Sequence, residues 1–202
     1  MRRIAPTLLC VLSLVSASGA GTVSGKAVGW APAVGTASRL GVVWLEGGTA
    51  RPASRPHAVM GQQGGKFIPA FLIVVAGQTV ELPNWDDVAH NVYSLSPAKP
   101  FNLGFYAKGD KKSVTFDQPG LEEVACSIHD FMHAKILVLP TTYYATIAAD
   151  GSFQIRGVPA GKYALKFWAD GMTSISREIE VSADGTTYLN LMVSSPASRT
   201  QQ

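Results

Sequence analysis

The sequence predicts an all-β protein, on three observations. No stretch keeps apolar residues at helical spacing for three turns. Short alternating apolar segments recur instead, each bounded by turn-forming residues. Gly and Pro number 20 and 12 of 202 residues, enough to reverse the chain after every short strand. Such strands at regular spacing imply sandwiches or barrels. Apolar residues are 47% and charged residues 15% of the chain, which supplies a core and excludes wholesale disorder.

The first twenty residues stand apart. Met1-Arg2-Arg3 is a short positive segment, residues 4–15 are apolar except for Pro6, Thr7 and Ser13, and 16–20 are small. This is the pattern of a secretory signal (1–20) cleaved after Ala20, and its apolar run is too short for a membrane span. A periplasmic or secreted protein is expected, without membrane insertion after cleavage. Removal of Arg2 and Arg3 leaves 15 Lys+Arg against 14 Asp+Glu, a near-neutral balance that argues against nucleic acid as a partner.

Strands are expected over 22–28, 41–45, 58–62, 71–75, 79–83, 91–94, 113–116, 121–125, 134–139, 145–148, 152–155, 162–169, 177–181 and 186–193, each from alternation between turn signals. Asp150-Gly151 and Asp184-Gly185 are expected as hairpin turns, since Gly accepts the positive φ that tight hairpins need. Residues 31–39 and 47–55 are rich in small and turn-forming residues and are expected as loops, and 195–202 as a flexible tail.

Loss of Cys10 with the signal leaves Cys126 without an intramolecular partner. In an oxidising compartment such a thiol is buried, paired with another chain, or bound to metal. It stands in Cys126-Ser-Ile-His129-Asp-Phe-Met132, with His90 36 residues upstream in Asp86-Asp-Val-Ala-His90-Asn91. A thiolate, two imidazoles and a thioether are donors that suit copper in both oxidation states, and Cys with two His and a long axial Met is the blue-copper arrangement. Zinc is a weaker alternative because it rarely uses Met, although His133, Asp130 or Asp87 could supply a fourth donor. An inert buried cysteine is the remaining reading.

Lys66-Phe-Ile-Pro-Ala-Phe-Leu-Ile-Val-Val-Ala-Gly-Gln-Thr-Val80, Asn84, His90-Asn-Val92, Phe116-Asp-Gln-Pro-Gly120 and Cys126-x2-His129-x2-Met132 together resemble a cupredoxin of the amicyanin and plastocyanin branches, over residues 57–140. The resemblance implies a Greek-key β-sandwich with one type 1 copper. It also implies His90, Cys126 and His129 as equatorial ligands and Met132 as the axial one. By the same resemblance Asn91 joins the two ligand-bearing loops near the sulfur, and His129 is the edge where electrons leave. Asp130 stands where amicyanin-like loops carry Pro, and Ala125 replaces the usual aromatic or polar neighbour of the cysteine. These departures bear on potential and docking, not on the ligand set.

Asp150-Gly-Ser-Phe-Gln-Ile-Arg-Gly-Val-Pro-Ala-Gly-Lys-Tyr-Ala-Leu-Lys-Phe-Trp168 resembles a carboxypeptidase regulatory-like, transthyretin-like β-sandwich. Gly21-Thr-Val-Ser-Gly25 and Leu40-Gly-Val-Val-Trp-Leu-Glu46 resemble its first strands. The expected organisation is therefore a cupredoxin at 57–140 enclosed by a second, Ig/transthyretin-like sandwich made of 21–56 and 141–194.

His133 is expected as a surface histidine, His57 as structural or exposed, and the turn bearing Lys108, Lys111 and Lys112 as a solvated tip rather than a steering patch. No Ser-His-Asp set, phosphate loop or paired carboxylates point to catalysis, so a non-enzyme is expected. The leading expectation is an electron carrier between redox partner proteins. The alternatives are a copper carrier or envelope interaction module without redox cycling, and a metal-free scaffold.

Overall fold

Alternating side chains, not helices, build the molecule. In a computed structural model, residues 19–31, 40–47 and 55–195 are described and contain seventeen strands and no helix. Nearly all of the expected signal, most of the loops at 31–39 and 47–55, and all but the first residue of the expected tail lie outside the described residues. Among the described residues no helix is long and apolar enough to cross a membrane.

In chain order the strands are β1 (Ala20–Val28), β2 (Gly41–Glu46), β3 (Ala58–Val59), β4 (Gly61–Gln62), β5 (Phe67–Ile68), β6 (Phe71–Val75), β7 (Gln78–Pro83), β8 (His90–Ser94) and β9 (Phe101–Tyr106). They continue with β10 (Lys111–Phe116), β11 (Gly120–Ala125), β12 (His133–Leu139), β13 (Tyr144–Thr146), β14 (Ser152–Pro159), β15 (Gly161–Ala169), β16 (Ile175–Val181) and β17 (Thr186–Met192). A five-stranded sheet, β6-β12-β11-β8-β9, packs against β10-β7-β3 around Val80, Leu82, Val92, Val114, Phe116, Val124 and Ile136. The sheets β14-β1-β17 and β13-β2-β15-β16 enclose a second core that includes Val23, Leu45, Phe153, Ile155, Leu165 and Phe167.

Strand β12 explains how the two sandwiches meet. Ala134, Ile136 and Val138 point into the first core, while Leu137 and Leu139 on the opposite face pack against Val42 of β2. Period-two alternation with both faces apolar is what a strand between two layers requires. Phe71 of β6 stacks on Trp168 of β15, ring centroids 5.2 Å apart, and Lys135 pairs with Asp170 at 2.9 Å on the rim of this contact.

Four features differ from expectation. Strand β9 was not anticipated: a register shift opposite Asn91/Tyr93, with Gly104 at φ 65°, breaks the alternation of its inward side chains Phe101, Leu103 and Tyr106. The short strand β5 was not anticipated either. The expected strand over 58–62 is split at Met60 into β3 and β4, which pair with different strands. The two Asp-Gly turns are not hairpins within one sheet. Asp150-Gly151 leads from β13, paired with β2, to β14, paired with β1. Asp184-Gly185 leads from β16 to β17 in the opposing sheet, and Asp184 itself takes the positive φ of 54°. Dipeptide chemistry specifies a reversal but not which sheet receives the next strand. Gly25 has a separate reason: a Cβ there would lie 2.2 Å from the Leu189 carbonyl oxygen and 2.5 Å from the Phe153 ring.

Candidate metal centre

The β11–β12 ladder carries the chain into a short loop. Ala125 pairs with His133, the Cys126 N–H donates to the Met132 carbonyl at 3.2 Å, and the Met132 N–H donates to the His129 carbonyl at 2.9 Å. Residues 127–131 are thereby folded over the end of the sheet, with His129 at the bend. Strand β8 lies next to β11, so its first residue, His90, arrives at the same end.

Three donor atoms converge there. His90 Nδ1 lies 3.1 Å from His129 Nδ1, and Cys126 Sγ lies 4.0 Å from His90 Nδ1 and 3.7 Å from His129 Nδ1. Cys126 is a buried free thiol, His90 is fully buried, and His129 is half-buried. Met132 is buried in the same cluster as Cys126. Taking zinc bond lengths of about 2.0–2.1 Å to imidazole and about 2.3 Å to thiolate as typical of the first row, one ion can bridge N···N pairs up to about 4.1 Å and N···S pairs up to about 4.4 Å. All three separations fall within these limits. With the same bond lengths the angles at such an ion sum to roughly 350°, close to a flat trigonal arrangement. The donor set therefore fits a single metal ion.

The outer residues separate into those that brace the site and those that do not reach it. Asn91 Oδ1 accepts the Ser127 N–H at 3.3 Å, and Asn91 Nδ2 donates to Asn102 Oδ1 at 2.7 Å, so Asn91 joins the Cys126 loop to β8 and β9. His133 is exposed and its Nε2 contacts the Asp130 carbonyl oxygen. Asp87 pairs with Lys108. Among the described residues the metal-capable group is His90, Cys126 and His129, without the fourth zinc donor that His133, Asp130 or Asp87 could have supplied. His57 pairs with Glu81 instead. Lys108 is engaged by Asp87, Lys111 by Glu81, and Lys112 by the Leu103 carbonyl, so each lysine of the basic turn is locally paired.

Spacing alone did not single out the groups around His90. Asp86 Oδ2 lies 2.9 Å from His90 Nε2, on the side of the ring away from Cys126. Burial pushes the Asp86 carboxyl up, but the N–H groups of Gly65 and Gly64 and the His90 ring outweigh it and hold the carboxyl below its ordinary value. Asn84 folds the segment between: its Nδ2 donates to the Val88 and Tyr106 carbonyls, and its Oδ1 accepts the Asp86 N–H. Burial raises the Tyr106 phenol to about 12, and it donates to the Leu82 carbonyl at 2.8 Å. The Asp86-x3-His90 spacing is visible in the sequence; its meaning depends on the Gly64-Gly65 turn, 22 and 21 residues before Asp86.

No curated protein matches the chain significantly. Solved structures similar to it include the copper-containing nitrite reductase of Thermus scotoductus SA-01, 26% identical with a TM-score of 0.40, where the match covers 46% of this chain and only 25% of that one. They also include a mutant amicyanin in its oxidized state, 26% identical over 41% of this chain and 81% of that one, TM-score 0.39. A purple cupredoxin from Nitrosopumilus maritimus is 26% identical over 40% of this chain and 98% of that one, TM-score 0.37. Residues 131–194 match the family model of the carboxypeptidase regulatory-like domain, a segment that opens inside the Cys126–Met132 loop and runs through β17.

Proposed function

We propose that this chain is an exported mononuclear type 1 copper protein that carries single electrons between redox partners and does not itself catalyse a reaction. His90, Cys126 and His129 are its equatorial ligands, Met132 its axial ligand, and Asn91 the residue that ties their loops together. The observation that carries this reading is the convergence of two imidazole Nδ1 atoms and one buried sulfur within 4.0 Å of one another. The ion supplies a one-electron couple when bound. The protein supplies a donor set acceptable to both oxidation states and a frame that holds it still. That frame consists of adjacent strands β8 and β11, a loop closed by the Cys126–Met132 and Met132–His129 backbone bonds, and the Asn91 bridge. His129 is the least buried of the three donors, so electrons leave through its outer edge.

In this reading the copper-bearing sandwich, 57–140, is an insertion in a carboxypeptidase regulatory-like module formed by 21–56 and 141–194. Pairing of β1 with β14 and β17, and of β2 with β13 and β15, supports it. The matched family segment includes β12, but the pairing of β12 with β11 and β6 of the copper sheet supports keeping that strand with the copper sandwich and the border at 140/141. The signal pattern of residues 1–20 supports export to the periplasm or beyond.

Titration with Cu(II) is the test. One equivalent should give an intense visible absorption from thiolate-to-copper charge transfer, and Cys126→Ser should abolish it while leaving the β circular dichroism unchanged. A colourless wild-type protein that binds no copper at one equivalent ends this reading. Reversible voltammetry distinguishes an electron carrier from a protein that only ferries the metal.

A further inference from the structure

Asp86 lies beside the metal centre without reaching it. Its carboxylate accepts the Gly64 N–H at 2.6 Å and the Gly65 N–H at 2.9 Å, and Oδ2 lies 2.9 Å from His90 Nε2. Gly64 and Gly65 have φ of 63° and 66°, so their successive N–H groups turn toward one point and form an anion-holding concavity. The Asp86 side chain is 15% exposed and that of His90 0%, so the pair is poorly screened by water. The same turn lies close to Phe131: a Cβ on Gly65 would lie 3.2 Å from the Phe131 ring, whose centroid is 5.7 Å from that of His129.

An ionised carboxylate only accepts hydrogen bonds, so the His90 nitrogen facing it carries the proton. The imidazole then presents a free lone pair at Nδ1, the atom directed at His129 Nδ1 and Cys126 Sγ. A backbone carbonyl could orient the ring equally well. A carboxylate adds a full negative charge across it, which increases donation from Nδ1 and favours the more highly charged state of a bound ion. Resting on the copper reading above, we propose that Asp86 is a positioning residue that fixes His90 in the Nε2–H tautomer and, through it, lowers the reduction potential of the copper.

Asp86→Asn keeps the side chain's shape and removes its charge, and Asp86→Ala removes both. In the copper-free wild type, long-range 1H–15N correlation spectra should show His90 protonated at Nε2, a preference that Asp86→Ala should lose. In the copper-loaded protein, Asp86→Asn should weaken Cu(II) binding by about 10–100-fold while weakening Cu(I) binding less. Each tenfold loss confined to Cu(II) raises the potential by about 59 mV. A brace without an electronic role would lower the unfolding midpoint and leave the potential of the folded, loaded variant in place. That result, or a wild-type His90 protonated at Nδ1, overturns the proposal. Failure of the wild type itself to take up copper removes this inference together with the copper reading. A blue wild type and an Asp86→Asn variant of unchanged potential and Cu(II) affinity remove this inference alone.

Discussion

The two sandwiches follow the same plan, each with two antiparallel-rich layers closed over branched and aromatic side chains, but they bury different things. The first encloses Gln62, Asn84, His90, Asn91, Ser94 and Glu122 among its apolar residues. Among the described residues, Thr141, in the connection after β12, is the one buried polar residue outside that sandwich. A buried polar group is costly unless bonded, and the second sandwich buries few of them: the Tyr163 hydroxyl, which donates to the Pro159 carbonyl at 2.9 Å, and Trp30 Nε1, which has no partner. The difference lies in the six buried polar or charged side chains of the first. Most of these serve one end of the sheet: Asn84 folds the segment leading to His90, Asn91 holds the cysteine loop, and Gln62 donates to the Tyr106 hydroxyl beneath them.

The largest effects should come from the cores. Phe167→Ala, in the second core, should cost about 3–5 kcal/mol in urea unfolding while leaving the copper spectrum of the folded fraction unchanged. A lost or shifted spectrum would mean that the second sandwich shapes the site directly. Leu139→Ala, at the contact between the sandwiches, should cost about 2–5 kcal/mol and retain a single unfolding transition. Two separated transitions would show that the halves are held together only loosely.

The alternation of β12 is legible in the sequence as Ala134, Ile136 and Val138 against Lys135, Leu137 and Leu139, and so is the Cys126-His129-Met132 spacing with His90 upstream. Strand β9 is not, because one bulged residue at Gly104 puts Phe105 outward and Tyr106 inward where simple alternation expects the reverse. The destination of the chain after Asp150-Gly151 and Asp184-Gly185 is also hidden, since a turn fixes direction locally while tertiary packing assigns the sheet. Asp86 was visible as one of two adjacent acids. Its role depends on Gly64 and Gly65, which only the folded β4–β5 connection brings to it.

A smaller effect distinguishes structural from functional polar burial within the first sandwich. Burial pushes the Glu122 carboxyl above its ordinary value, against the Ser94 hydroxyl and the Lys99 N–H, and its Oε1 has no partner. A carboxyl raised in the folded state stabilises fully below its unfolded value near 4.5, and that contribution is lost as pH rises through the folded value. Glu122→Gln should therefore gain stability over the wild type between acid and neutral pH, reaching about 1–3 kcal/mol, with the copper spectrum unchanged. Equal pH dependence of the two proteins in urea unfolding would contradict this. The smallest effect is expected at the exposed Lys108–Asp87 pair, where Lys108→Ala should change stability by at most about 1 kcal/mol, less at high salt.

X-ray absorption at the copper edge of the loaded protein reads out whether the three donors share one ion. Two nitrogen scatterers and one short sulfur scatterer, with the sulfur lost in Cys126→Ser, are the expected result. A first shell of nitrogen and oxygen alone in the wild type would contradict the assignment of Cys126, His90 and His129 to one ion.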